Sequence, residues 1–191
     1  MSLILERGLV ELRFHGRGGQ GAVTAAHITV DSAVRDGFWG AAFPFFGAER
    51  RGAPVAAFAR LSRSRVMTRS MVRNPDVVVV LDTSIMNYVN VFDGLKDRGI
   101  LVINSPTKPN TPREVKLYTV NATKIALDLG LVLAGWPLVN VAMVGALSRV
   151  LGIKLSSVLD SIGSMLSGRI AELNATAAER AYHEVMEVGG G

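Results

Sequence analysis

Four glycines fall within six residues, Gly16, Gly18, Gly19 and Gly21, where an apolar strand candidate (Leu9 to Phe14) hands over to a helix candidate (Gln20 to Arg35). Glycine adopts backbone angles that other residues resist, and the start of a helix leaves N–H groups without partners. Such a junction suits an anion. The run Gly16-Arg17-Gly18-Gly19-Gln20-Gly21 satisfies Gly-x-Gly-x-x-Gly in the strand-to-helix context that dinucleotide binding requires. That fingerprint also wants an acid at the end of the second strand to hold a ribose. Here the second strand candidate, Phe38 to Phe43, runs into Pro44, and Asp36, which has the right spacing, falls at the end of the helix. Three readings stay open: an NAD or FAD site, a site for the phosphate or pyrophosphate of another ligand, and a close-packed turn with a structural or interface role.

The other reactive side chains are sparse. Asp76 and Asp82 bracket one strand candidate, too far apart to act as a carboxylate pair, so Asp76 reads as a cap or turn residue and Asp82 as a helix start. His15, His27 and His183 have no metal-ligand spacing, and His15, beside the glycines, is expected to be a hydrogen-bonding strand residue. No catalytic residue is assigned: nucleophile elbow, Walker lysine, metal-binding helix and thiamine-binding acid motif are all missing from the chain. With no cysteine, this polypeptide cannot supply thiolates to an iron–sulfur cluster. The chemistry points to a binding or subunit role.

Those residues must be positioned by an α/β framework. The chain has 191 residues, 49% hydrophobic and 19% charged, enough for one sizeable domain. Strands are expected at Phe38 to Phe43, Val55 to Leu61, Val66 to Ser70, Asp76 to Asp82, Ile100 to Asn104 and Val115 to Val120. Helices are expected from Thr83 or Ser84 to about Asp97, over Ala122 to Leu129, and, without further strands, over Val139 to Leu151, Leu155 to Leu166 and Ile170 to Val188. This alternation predicts a three-layer α/β/α sandwich with a mostly parallel, Rossmann-like sheet and a helical C-terminal part. Residues 1–8 read as an N-terminal extension, 9–188 as a single domain and 189–191 as a disordered tail.

Charge and hydropathy narrow the partners. The net charge is +5, and seven arginines lie between Arg50 and Arg73 with no acid among them; this reads as a solvated hairpin or a contact to phosphates or an acidic subunit. No recognition-helix or stacking motif accompanies them, so nucleic acid is not expected. Leu129 to Ser148 carries no charge, but Gly135-Trp136-Pro137 divides it into two buried helices, one ending near Ala134, and no membrane span is expected. The N-terminal residues lack a signal-peptide pattern, so a cytoplasmic location is the default.

The glycine run and the later stretch Phe43-Pro44 through Gly47-Ala48-Glu49-Arg50-Arg51-Gly52-Ala53-Pro54 together resemble the gamma subunit of 2-oxoacid:ferredoxin oxidoreductases. The resemblance continues through Asn74-Pro75-Asp76, Ile103-Asn104-Ser105 and Met143-Val144-Gly145-Ala146-Leu147. It implies a subunit of a complex that oxidatively decarboxylates a 2-oxoacid to an acyl-CoA and passes two electrons to ferredoxin, and that is inactive alone. It also implies a division of labour. Alpha and beta subunits would hold thiamine diphosphate with Mg2+, [4Fe-4S] clusters would belong to beta and a ferredoxin-like delta subunit, and this chain would bind no cofactor alone.

The Phe-Pro-x-x-Gly-Ala-Glu-Arg-x-Gly-Ala-Pro form is most similar to pyruvate and branched-chain types, with pyruvate the first choice over 2-oxoglutarate. On this resemblance Gly16, Arg17, Gly18, Gly19, Gln20, Gly21, Glu49, Arg50, Arg51, Gly52 and Asn104 are cofactor-binding or interface residues. The glycine turn and the Glu49-Arg51 loop would face the alpha and beta subunits near the coenzyme A entry, and the isolated subunit could form a homodimer. The alternative is a free-standing, Rossmann-like nucleotide-binding protein using Gly16 to Gly21. Arg51→Ala is expected to leave the chain folded while assembly or CoA affinity suffers, measured by reconstitution and CoA-dependent steady-state kinetics.

Overall fold

The structure, a computed structural model, describes residues 2–44, 52–66, 68, 70–111 and 115–188. In chain order the elements are α1 (Leu3–Arg7), β1 (Leu9–Arg17), α2 (Ala22–Arg35), β2 (Trp39–Pro44), β3 (Pro54–Ser62) and β4 (Val77–Val80), then a 3₁₀ turn (Thr83–Asn87). They continue with β5 (Ile100–Asn104), β6 (Lys116–Val120), α3 (Ala122–Asp128), β7 (Val132–Leu133), β8 (Trp136–Pro137), α4 (Asn140–Leu151), α5 (Leu155–Met165), α6 (Gly168–Glu184) and β9 (Met186–Val188).

One sheet of seven strands, ordered β2-β3-β1-β4-β5-β6-β9, forms the middle layer. β1, β4, β5 and β6 are parallel neighbours, β3 runs antiparallel between β1 and β2, and β9 closes the far edge antiparallel to β6. β4 reads Val-Val-Val-Val and is buried throughout because it is central and covered on both faces. Val77, Val79, Val10, Leu12 and Phe14 point to the face covered by α2 and the C-terminal helices, whereas Val78 and Val80 point to the face covered by Ile85, Val91 and Leu95. The result is the expected three-layer α/β/α arrangement with a mostly parallel sheet.

Several local expectations are corrected. Val66, Thr68 and Ser70 are not in a strand; Arg60 Nη1 donates to the Thr68 and Ser70 carbonyls, which hold this stretch as a strap. The helix expected up to Asp97 is only the 3₁₀ turn followed by further turns, because its carbonyls at Val91 and Asp93 accept hydrogen bonds from the Arg13 guanidinium instead of from a helical ladder. The C-terminal part does contain a strand: α6 ends at Glu184, and Met186 to Val188 pair with Leu117 to Thr119 at the sheet edge. Ile4, in the segment set apart as an extension, is fully buried in the main core. No helix among the described residues is long and apolar enough to cross a membrane. The uncharged stretch after α3 enters a short β7–β8 hairpin, not a helix ending near Ala134.

Small residues bring α4 and α6 together. Gly145 packs directly on the backbone of Ala178, and Ala177 and Ala181 are fully buried. A Cβ at position 145 would collide with the Ala178 carbonyl, which cannot move without moving α6. Gly145→Ala should therefore destabilise the protein by about 1–3 kcal/mol, read as a lower urea midpoint.

His15, on the same strand face as Arg13, is buried, and among the described residues its Nε2 has no hydrogen-bond partner; the hydrogen-bonding role expected for it is not seen at this nitrogen. Burial, and then the Arg13 charge, lower its pKa from 6.5 to about 4. The unfolded chain thus binds a proton below pH 6.5 that the folded chain refuses until about pH 4. Stability should fall as pH drops through this window, by about 2 kcal/mol between pH 7 and 5. Urea unfolding at both pH values checks this, with His15→Leu expected to flatten the dependence.

Candidate functional site

The first strand does not stop at Phe14. β1 continues through Gly16 and Arg17 because its antiparallel partner β3 carries the pairing on, with Gly16 opposite Val55 and Arg17 opposite Pro54. Beyond the last paired residues, Gly18 N–H donates to the Ala53 carbonyl (2.8 Å), and Gly52 N–H donates to the Gly18 carbonyl (3.0 Å). The glycine turn and the end of the second motif are therefore zipped together through their backbones. Glu49, Arg50 and Arg51 lie outside the described residues.

Chain reversal then falls on Gly19 (φ 93°) and Gly21 (φ 77°), after which α2 begins at Ala22 and not at Gln20. Gly21 is the cap of α2 in a left-handed conformation, with no side-chain hydrogen bond to the helix. A Cβ there would also strike the side chain of Asn140 at the start of α4. Gly16 has a different reason: a Cβ would stand 3.0 Å from the Leu81 side chain. Two of the glycines thus serve close packing.

A polar network links this turn to the end of β4. Gln20 Oε1 accepts from Arg17 N–H (2.7 Å) and Gln20 Nε2 donates to Asp82 Oδ2 (3.0 Å). Arg17 reaches Asp82 (3.3 Å), Ser84 Oγ and the Gly52 carbonyl, and its guanidinium lies over the Tyr88 ring. Burial opposes the Asp82 charge, but hydrogen bonds from Ser84 and Gln20, together with Arg17, hold its carboxyl below the usual carboxylate range. Asp82 also caps the 3₁₀ turn through Ser84 N–H, as a helix-start residue would. Asn104, at the end of β5, donates to the Leu81 carbonyl and to Thr123 Oγ1 and accepts from Thr123 N–H, so it fastens β4, β5 and α3.

Two other acids are engaged elsewhere. Asp36 accepts from Lys154 N–H and Ser157 Oγ and pairs with Lys154 Nζ at 2.9 Å, which commits it to the start of α5 and not to a ribose. Asp76 is more than a turn residue: buried, it accepts from Glu11 N–H and pairs with Arg7 and Lys96.

Arg17, Gly18, Gly19, Gln20 and Gly52 form one wall of a cleft of about 780 Å³. The opposite wall is apolar, Leu133, Ala134, Trp136, Pro137 and Leu138, from the β7–β8 hairpin. Ala134 (φ 49°) and Gly135 (φ 82°) both have positive φ, as a tight two-residue hairpin demands, and Leu133 and Trp136 are exposed. A smaller cavity of about 310 Å³ adjoins it, sharing Gln20, Trp136 and Pro137 and reaching Asp82, Asn104 and Thr123. A guanidinium on a polar, glycine-rich wall with an apolar wall beside it suits a ligand with both anionic and apolar parts. The hairpin was missed from sequence because Gly135-Trp136-Pro137 reads as a helix break; two uncharged residues on either side of Ala134-Gly135 were the available signal. Among the described residues, no cluster of side chains could hold a metal ion.

Gly21→Ala meets both the left-handed backbone and Asn140, and should lower stability by about 1–3 kcal/mol. Asp82→Ala leaves Arg17, Gln20 and the 3₁₀ turn without their shared acceptor and should cost about 1–3 kcal/mol. Thermal unfolding of the two variants provides the measurement.

The chain matches the family described as pyruvate ferredoxin/flavodoxin oxidoreductase over residues 11–184. It is 48% identical to the pyruvate synthase subunit PorC of Methanothermobacter thermautotrophicus over 178 residues, covering 93% of this chain and 96% of that protein. It is 44% identical to the pyruvate/ketoisovalerate oxidoreductases common subunit gamma of Thermococcus kodakarensis, with 93% and 98% covered. The crystal structure of pyruvate oxidoreductase subunit PORC (EC 1.2.7.1) from Thermotoga maritima superposes with a TM-score of 0.80 at 35% identity, covering 94% of this chain and 98% of that one. A match that spans the sheet, the glycine turn and the helical face alike shows that the chain belongs to the pyruvate ferredoxin/flavodoxin oxidoreductase family.

Proposed function

We propose that this protein is the gamma subunit of a pyruvate-type 2-oxoacid:ferredoxin oxidoreductase, working in a complex with alpha, beta and ferredoxin-like delta subunits in the cytoplasm. The observation that carries the reading is the backbone pairing of Gly18 with Gly52 and Ala53, which joins the two motifs of the family into one surface. Full-length similarity to proteins named as pyruvate synthase or oxidoreductase subunits supports it. The complex would use thiamine diphosphate, Mg2+ and [4Fe-4S] clusters held by the other chains, since this one has no cysteine.

Gly16 to Gly21, Glu49 to Gly52 and Asn104 serve assembly and the approach of coenzyme A. The Arg17 guanidinium meets a phosphate, and Leu133 and Trp136 provide apolar contact for the rest of the ligand or for a neighbouring subunit. Asn104 acts at one remove, by holding the ends of β4 and β5 where Gln20 and Asp82 meet.

Co-expression with the neighbouring genes tests the reading: a complex containing thiamine-binding and iron–sulfur chains should co-purify and oxidise pyruvate in the presence of CoA. A chain that stays alone, or a complex without CoA-dependent pyruvate oxidation, overturns it. Micromolar binding of NAD or FAD by the isolated chain would favour a free-standing nucleotide-binding protein instead. In the active complex, Arg17→Ala and Trp136→Ala should each raise the KM for CoA by about tenfold, corresponding to about 1.4 kcal/mol, with a smaller change in the KM for pyruvate. Steady-state kinetics with either substrate varied decides it.

A further inference from the structure

The end of the sheet opposite the glycine turn carries a second concavity. It opens at the start of β1, some eight residues before Arg17, a distance on the order of 26 Å along the strand. Its volume is about 880 Å³. Four arginines line it, Arg7, Arg60, Arg63 and Arg65, against one acid, Glu11.

The acids at this end already have cations. Glu11 pairs with Arg60 at 2.9 Å and with Lys96 at 3.6 Å, and Asp76 pairs with Arg7 at 2.9 Å and Lys96 at 3.0 Å. Arg63 and Arg65 are exposed, and among the described residues neither has an ion pair. The positive charge here is therefore in excess. It is also held in place. Arg60, only 6% exposed, donates to the Thr68 and Ser70 carbonyls and so ties down the strap that follows Arg65. Arg63 N–H donates to the Gly8 carbonyl, and Ser62 Oγ accepts from Ser64 N–H and donates to the Gly8 carbonyl, so the turn bearing the two arginines is pinned to the start of β1.

We infer that this concavity, around Arg7, Arg63 and Arg65, is a docking site for an acidic segment of a partner protein. A guanidinium fork matches a carboxylate in two parallel hydrogen bonds, and a cluster of uncompensated charge attracts the opposite charge from a distance. Among the described residues no aromatic ring lines the concavity, which gives a nucleobase no stacking platform there. Beside the arginines, Ser62, Ser64 and Thr68 bring hydroxyls to the wall and Leu9 and Val66 a small apolar surface, which suits an extended carboxylate-bearing chain. The inference goes beyond the gamma-subunit reading and does not require it.

The test uses the full chain carrying Arg63→Glu with Arg65→Glu, and a fluorescent ten-residue glutamate peptide as probe. Circular dichroism establishes that the variant is folded. The wild-type chain should bind the peptide with an affinity that falls as salt rises, and the variant should bind about tenfold more weakly or worse. A control with the same charge change on the helical face, Lys124→Glu with Arg169→Glu, should stay close to wild type. Equal losses in both variants would show that net charge alone holds the peptide and would overturn the inference, as would no binding by the wild type. Tighter binding of inorganic pyrophosphate than of the peptide, lost in the Arg63/Arg65 variant, would reassign the concavity to phosphate and also overturn it. Failure of the chain to assemble into an oxidoreductase leaves this result untouched, so the two readings fail separately.

Discussion

The antiparallel ladder between β1 and β3 runs unbroken from Leu9 and Ser62 to Arg17 and Pro54, and then continues through the hydrogen bonds of Gly18 with Gly52 and Ala53. Everything at the glycine turn depends on this extension. A strand ending at Phe14 would leave Arg17 in a loose loop. Paired to its end, β1 delivers the Arg17 guanidinium to Asp82 and Ser84, and the Gln20 amide closes the turn by bridging the Arg17 N–H to Asp82. The rigidity of the cleft wall is thus a property of the sheet, not of the glycines, which only permit the reversal that follows.

The sheet's two faces are built differently. On one, Val10, Leu12 and Phe14 meet a continuous helical layer in which Gly145 and the alanines of α6 allow close packing. On the other, the same strand presents Glu11, Arg13, His15 and Arg17, and the covering layer is a series of turns instead of a long helix. Arg13 is buried and donates to main-chain carbonyls of those turns. Burial lowers its pKa while Asp93 raises it, and its presence disfavours a second positive charge on His15. A buried cation bonded to backbone oxygens explains the irregular third layer, and it adds to the burial that keeps the histidine beside it neutral.

Much of this was legible beforehand because the signals were local. The valine run of β4 has no alternative to a doubly covered strand, and Gly152, which caps α4 with a left-handed backbone, marks a helix end by its lack of a side chain. The failures share a cause as well. Val66 to Ser70 has strand-forming residues, but Arg60 captures the Thr68 and Ser70 carbonyls; residues after Asn87 have helical spacing, but Arg13 captures the Val91 and Asp93 carbonyls. Met186 to Val188 became a strand only because β6 offered a free edge. In each case a partner distant in the chain redirected the backbone hydrogen bonds, which pattern reading cannot see.

The candidate site divides in the same way. Residue types alone established that the chain has a glycine turn at a strand–helix junction, that it lacks thiolates and a ribose-binding acid, and that its two motifs resemble one family of subunits, because these follow from chemistry carried by individual side chains and their order. Which groups face one another followed only from folding. Gln20 meets Asp82, Gly21 meets Asn140, and the exposed Leu133 and Trp136 stand across a cleft from Arg17 because the parallel sheet aligns the ends of β1, β4 and β5, and α4 packs against α2. Side-chain proximity between residues far apart in sequence is set by strand order and helix packing, and neither is written in any one segment of the chain.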